Sequence, residues 1–237
     1  MSRRWVRELA RQAARRYEAA GLMARYFARG KLAGDPMFRA LLSPAMLPDR
    51  ARVLDLGCGA GLLAAWLTAA VDRHARGDWP LEAPPPRPTS YTGVELMSRD
   101  VALARLAIAG WPEARIEQWD LRDAALPPSD VILLLDVLHY LEPASQEALL
   151  TRVARALSPA GQLVLRVGDA GAGGRFRYTM AVDRLVCRLR GLALPALHGR
   201  SLPDWLVMLD QLGFAVETHA MSEGTPFANV LLVARHA

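Results

Sequence analysis

Val53-Leu54-Asp55-Leu56-Gly57-Cys58-Gly59-Ala60-Gly61 is the stretch on which the fold of this 237-residue chain turns. Val53, Leu54 and Leu56 make a short apolar strand that ends at Gly57. Three glycines at alternate positions then allow a sharp turn and let a ligand approach the backbone closely. Residues 62–71 read as a helix, so the turn leads into a helix N-terminus with unsatisfied N–H groups. Such a terminus suits the carboxylate of an amino acid as well as a phosphate. A dinucleotide-binding turn is spaced G-x-G-x-x-G, which here needs a third glycine at position 62, where Leu62 stands. The spacing present is G-x-G-x-G, preceded by the acid Asp55.

Working outward, the same alternation repeats. Strands are expected at residues 91–95, 114–118, 130–135 and 162–167, with helices at 99–109 and 145–157. The fourth strand is wholly apolar from Val131 to Leu135, as a strand buried on both faces requires. Residues 73–90 form a polar insertion with Pro84-Pro85-Pro86 and Pro88, unsuited to regular helix. Ser158-Pro159-Ala160-Gly161 is read as a stop before the fifth strand. A last helix at 202–212 precedes two strands, 214–220 and 229–235, joined through Ser222-Glu223-Gly224-Thr225-Pro226-Phe227 as an antiparallel hairpin. Ahead of the core, residues 2–30 look helical, with a break at Gly21 and an end at Gly30. Asp35-Pro36 starts a short helix as N-cap and first helical residue. Alternating strands and helices predict an α/β fold: a doubly wound, mostly parallel seven-stranded sheet with a C-terminal antiparallel hairpin. The division expected is a helical extension or lid at 1–49 and a ligand-binding domain at 50–237.

Asp55-Leu56-Gly57-Cys58-Gly59-Ala60-Gly61 resembles the first motif, E/D-x-G-x-G-x-G, of class I S-adenosylmethionine-dependent methyltransferases. The resemblance implies S-adenosyl-L-methionine as cofactor, a Rossmann-like sheet, and a cofactor-binding role for Asp55, Gly57, Cys58, Gly59 and Gly61. It also implies an acid at the end of the second strand holding the ribose hydroxyls. Gly93-Val94-Glu95 fits, with Glu95 in that role and Leu96 beside it, although Glu95 lies 40 residues after Asp55 rather than about 20. The insertion at 73–90 takes up the excess. After the third strand, Gln118-Trp119-Asp120 offers Asp120 for the adenine amino group, with Leu121 adjoining and Asp123 as the competing carboxylate. Trp119 serves either the adenine or the ordinary core.

Asp136-Val137-Leu138-His139-Tyr140-Leu141 resembles the D/N-V-L-H/E-H/Y segment of methyltransferases that act on small molecules and quinone-like rings. It implies that Asp136 lies with the cofactor, that His139 is a candidate general base, and that Tyr140 walls the acceptor cavity. No Pro-Pro stands there, which argues against adenine- or glutamine-directed methylation. His198 is the second candidate base. Arg175 and Arg177, with Tyr178, are placed on a loop after the fifth strand, where ligands of open α/β sheets sit. Asp136 and Asp169 lack a clear third ligand, so no metal is expected. More loosely, the chain resembles small bacterial methyltransferases found beside aryl-polyene and fatty-acid-type biosynthesis genes. Ala24-Arg25-Tyr26-Phe27-Ala28-Arg29-Gly30-Lys31-Leu32 and Gly224-Thr225-Pro226-Phe227-Ala228-Asn229 support this. It implies an aromatic head group or its acyl-carrier thioester as acceptor.

Net charge is +5, and residues 1–31 hold nine basic groups against two acids. That segment suits a lid, an acidic carrier protein or an anionic membrane surface, whereas no motif supports nucleic-acid binding. Cys58 and Cys187 have no metal-ligand spacing, and no apolar leader or membrane-spanning run is present, so cytoplasmic residence is expected. Two other functions compete. A nicotinamide-dependent oxidoreductase conflicts with the glycine spacing, and with Lys31 as the only lysine it has no Tyr-x-x-x-Lys pair. A non-catalytic partner of the same fold would dock through the basic helices.

Overall fold

The computed structural model describes residues 1–237 apart from 124, 190–196 and 222–224. Seven strands form one mixed sheet in the order β3-β2-β1-β4-β5-β7-β6. They are β1 Arg52–Leu56, β2 Ser90–Glu95, β3 Ala114–Gln118, β4 Ser129–Leu135, β5 Leu157–Gly168, β6 Phe214–Ala220 and β7 Asn229–His236. The last two strands pair antiparallel as expected, and β7 lies antiparallel between β5 and β6. The chain divides into two compact units, Met1–Ala124 and Ala125–Ala237.

In the first unit, α1 (Arg3–Ala14) starts at Ser2, whose side chain accepts a hydrogen bond from the Trp5 amide. Val6, Leu9, Ala10, Ala13 and Ala14 are buried along one face, and Arg4, Arg7, Arg11 and Arg15 stay exposed. A 3₁₀ segment, Arg15–Ala20, follows, and Gly21 (φ +94°) makes the expected break. The next helix, α2, runs from Leu22 to Gly34. The expected stop at Gly30 is therefore overturned: Gly30 lies inside this helix, and Lys31 and Leu32 continue it. Asp35 caps α3 (Pro36–Ala40) as the Asp-Pro pair predicts. Helix α4 (Leu62–Ala75) extends one turn beyond the apolar run, and α5 is Ser98–Ala107.

Register carries the functional consequence. In the parallel β1–β2 ladder Asp55 pairs with Gly93 and Leu56 with Val94. In β2–β3, Glu95 pairs with Gln118. The turn at Gly57, the Glu95 carboxylate and the stretch leading to Asp120 therefore leave the sheet at the same carboxyl edge.

In the second unit, Val131, Ile132, Leu133 and Leu134 of β4 are completely buried, each worth about 2 kcal/mol of apolar transfer. Helix α6 (Pro143–Ala156) is followed directly by β5, which starts five residues earlier than the sequence suggests. Ser158-Pro159-Ala160-Gly161 joins the strand because Ser158 Oγ donates to Ser129 O and Asp130 Oδ1. Pro159 is tolerated because the regular ladders begin only at Gln162. Residues 174–189 form α7 (Gly174–Leu189), where a loop was expected, and α8 is Leu202–Gln211. Of the 222–227 connection, Ser222, Glu223 and Gly224 lie outside the described residues.

Candidate active site

The glycine turn is held from below by the strand beside it. The amides of Gly57 and Cys58 both donate to Val94 O, at 2.8 and 3.0 Å. Gly61 has φ +71°, and a Cβ there would sit 2.9 Å from Ala104 Cα and 3.0 Å from Ala107 Cβ. It is the point at which the turn presses against α5. Gly59 differs: its φ is +55°, and nothing lies within 4 Å of where its Cβ would be. One glycine thus serves packing and the other borders open space, which is what a loop cradling a ligand requires.

Glu95 closes that space on one side. Its Oε2 accepts the Gly59 amide at 3.0 Å and its Oε1 the Met97 amide at 2.9 Å. Each oxygen keeps a second lone pair, enough for two neighbouring hydroxyls. Leu96 is exposed at the strand end, while Leu121 is buried. Asp120 is reached two residues past β3, and both its oxygens accept from the Arg122 guanidinium. That bonding holds its carboxyl below the usual range. Any adenine amino group has to share Asp120 with Arg122.

Asp55 is buried beneath the turn and receives a hydrogen bond from the Tyr91 hydroxyl. Burial pushes its pKa up from 3.8 to about 6, against the Tyr91 hydrogen bond, and repulsion from Glu95 adds to the rise. Burial first, then the Asp55 and Glu95 charges, also keep the Cys58 thiol protonated, which removes it as a nucleophile. Tyr17, buried in the segment before the first strand, donates its hydroxyl to Ala60 O at 2.8 Å. Arg16 beside it donates to Ala107 O and Ala109 O. The segment before the first strand thereby touches both the turn and the end of α5. A buried tyrosine on a helical stripe gave no local sign of this.

A cavity of about 360 Å³ also lies in the first unit, lined by Leu67, Val71, Pro86, Pro88 and Trp111 among others. It adjoins the residues that precede β2 and β3, whereas open α/β sheets bind ligands beyond the strand C-termini. It is a separate feature from the glycine turn.

In the second unit, Asp136 follows β4 with φ +59° and pairs with the buried Arg166 of β5 at 3.2 Å. A 3₁₀ turn, Leu138–Tyr140, carries the two aromatic candidates, whose rings lie 4.1 Å apart. The His198 amide donates to His139 O at 2.8 Å, so the structure brings the two candidate histidines' backbones together. Gln146 of α6 secures them. Fully buried, its amide donates to Leu138 O, Leu141 O and His198 O, and its oxygen accepts from Arg200. Sequence reading passed over Gln146 because one polar residue in an amphipathic helix looks solvated.

Arg175 and Tyr178 lie on α7 rather than on a loop. Arg175 donates to Thr225 O at 2.8 Å, and the exposed Tyr178 ring sits 5.6 Å from Phe227. Both therefore hold the 225–228 segment. Asp169 caps the turn Ala170–Ala172 and also accepts the Leu202 amide at 2.9 Å. Among the described residues, no group of three or more His, Cys, Asp or Glu is clustered to hold a metal.

Strand order, the left-handed glycine turn and the acid at the end of β2 define the methyltransferase class of Rossmann-like enzymes. The chain belongs to a family whose model is described as a methyltransferase domain and matches residues 11–219. It is 32% identical over 128 residues to a carboxy-S-adenosyl-L-methionine synthase from Chromohalobacter salexigens, a match covering 53% of this chain and 43% of that protein. The chain thus spans less than half the length of that relative. Mitomycin 7-O-methyltransferase MmcR shares the fold, at 20% identity and a TM-score of 0.60, over 94% of this chain and 60% of its own. So does the O-methyltransferase NcsB1 of neocarzinostatin biosynthesis, solved with S-adenosylmethionine and 2-hydroxy-5-methyl naphthoic acid. There the identity is 23% and the TM-score 0.57, over 89% and 55% of the two chains.

Proposed function

We propose that the chain transfers the methyl group of S-adenosylmethionine to carbon or oxygen of a small acceptor, aromatic or polyketide- and fatty-acid-like, free or carrier-bound. The observation that carries this reading is the Glu95 carboxylate bonded to the Gly59 amide, with unfilled space above Gly59. When bound, the cofactor supplies an electrophilic methyl carbon on a sulfonium. The chain's own residues do the rest. Backbone at Gly57, Cys58 and Gly59 borders the methionine tail, and Asp55 orients the turn beneath it. Glu95 takes the ribose hydroxyls and Asp120 the adenine amino group, with Leu96 and Leu121 as apolar flanks. Asp136 lies with the cofactor, and Tyr140 walls the acceptor side. His139 removes the acceptor proton, an imidazole being suited to that near neutral pH. His198 shares this region, and Arg175 and Tyr178 shape its outer wall through the 225–228 segment. The naphthoic acid bound by NcsB1 supports an aromatic acceptor by likeness of fold.

Gly59→Arg is expected to abolish cofactor binding in calorimetry, and retained micromolar affinity would contradict the site. His139→Ala is expected to lower turnover more than cofactor affinity. Unchanged turnover removes its role as base.

A second reading rests on the curated relatives, whose name describes synthesis of carboxy-S-adenosyl-L-methionine. Mass spectrometry of the spent nucleoside separates the two: S-adenosylhomocysteine supports transfer, and a carboxylated cofactor supports synthesis.

A further inference from the structure

Helix α2 exposes the wrong residues for a helix that only covers a core. Leu22, Met23, Tyr26 and Phe27 are 68%, 82%, 61% and 53% exposed. On a 3.6-residue repeat all four fall on one outward face, which continues through Gly30 and Ala33. The opposite face holds the buried Ala28 and Leu32. Single exposed apolar residues need no explanation, but four large ones within six positions form a patch that marks an interaction site. Beside this face lies a shallow cavity of about 300 Å³, lined by Arg7 of α1 and by Tyr26, Arg29, Gly30 and Ala33. Nothing lies within 4 Å of a Cβ placed at Gly30, so the groove is open there. Arg25 and Lys31 are neutralised by Glu18 and Asp35. Arg7 and Arg29 have no acidic partner among the described residues, and both are exposed.

We propose that this face of α2, with Arg7 and Arg29, docks the protein on an anionic membrane surface: the two guanidinium groups take a lipid phosphate in the groove, and Leu22, Met23, Tyr26 and Phe27 enter the interface. An in-plane helix with an apolar face and flanking arginines is the arrangement that binds such surfaces. Charge selects this occupant over a second copy of the chain. Residues 1–31 carry nine basic groups and two acids, so two copies meeting here would set +7 against +7. The acetate-like single charges of an acidic protein suit the arginines equally, but the projecting Met23 and Phe27 would then need a matching apolar groove. A bilayer accepts them without one. The inference stands independently of the acceptor and of the roles given to the glycine turn.

The test is vesicle flotation with the full chain, using phosphatidylcholine mixed with phosphatidylglycerol against pure phosphatidylcholine. Binding to the anionic vesicles alone is expected, weakening as salt rises. Arg7→Ala with Arg29→Ala should weaken it about 30-fold, from two basic groups near the surface. Met23→Ser with Phe27→Ser should weaken it on the order of 100-fold. Both pairs are exposed, so thermal midpoints should stay at the wild-type value, and a wild-type midpoint in either pair validates its result. Absence of wild-type binding to anionic vesicles overturns the proposal, as does binding that neither pair weakens. Dimerisation in light scattering that Phe27→Ser abolishes, or capture of a purified acidic acyl carrier protein without vesicle binding, assigns the face to that partner and overturns it as well.

Discussion

Replacing Asp55 by asparagine isolates what it costs this fold to keep a carboxylate under the glycine turn. Asp55 is 2% exposed, and burial raises its pKa from 3.8 to about 6 despite the Tyr91 hydrogen bond. The folded chain therefore holds the Asp55 proton more tightly than the unfolded chain does. That contribution to stability is complete below the unfolded value and is lost as pH rises through about 6. At ~1.36 kcal/mol per pKa unit, the loss is about 3 kcal/mol. Asparagine keeps the shape and still accepts from Tyr91, but it does not titrate. Its amide nitrogen lacks an assured partner, which adds a pH-independent cost of about 1–3 kcal/mol. The pH dependence of the difference is therefore the informative quantity. Relative to wild type, Asp55→Asn should gain about 3 kcal/mol between about pH 3 and pH 8. For a chain of this size that is about 6–12 °C in the difference of thermal midpoints. Differential scanning fluorimetry of both proteins across that range, without cofactor, reads it. A difference that stays flat with pH, or that moves in favour of wild type as pH rises, refutes the reasoning.

Two further outcomes follow from the geometry. Gly61→Ala places a Cβ 2.9 Å from Ala104 Cα at φ +71°, so it should cost about 3 kcal/mol in denaturant unfolding. Gly59→Ala meets nothing and should cost only the left-handed strain of about 1–2 kcal/mol. Equal costs would show that the turn does not press on α5. Gln146→Leu removes the single amide that joins Leu138, Leu141 and His198. About 3 kcal/mol of stability should be lost, with faster hydrogen exchange at the His198 amide. Unchanged exchange there would mean that Gln146 does not hold the two histidine segments together.

Much of the first unit was legible in order along the chain. The β1 and β3 bounds, the turn at Gly57 and the Asp35 cap are set by neighbours a few residues away, through glycine freedom, apolar alternation and the Asx cap. Glu95 was also recoverable, although 40 residues separate it from Asp55, because a looped-out insertion does not alter strand pairing. The second unit was less readable. Four glycines between 168 and 174 signalled a loop, yet α7 begins at Gly174 itself. Phe176 on that helix packs where a Gly199 side chain would otherwise stand, 2.2 Å from the Cβ position. That contact spans more than twenty residues and left no local trace.

By itself the sequence determined the class: local backbone preferences and two hydrophobic periods specify strands, helices and the glycine turn, and their order admits few parallel sheets. Tertiary structure decided which side chains serve that turn. Tyr17 on Ala60, Asp55 at a raised pKa, Arg122 on Asp120 and Gln146 between two histidine segments all arise from groups made neighbours by folding. Hydrogen bonds and desolvation act over a few ångströms in space, whereas propensity and periodicity act over a few residues of chain. Only the second is written in the order of the amino acids.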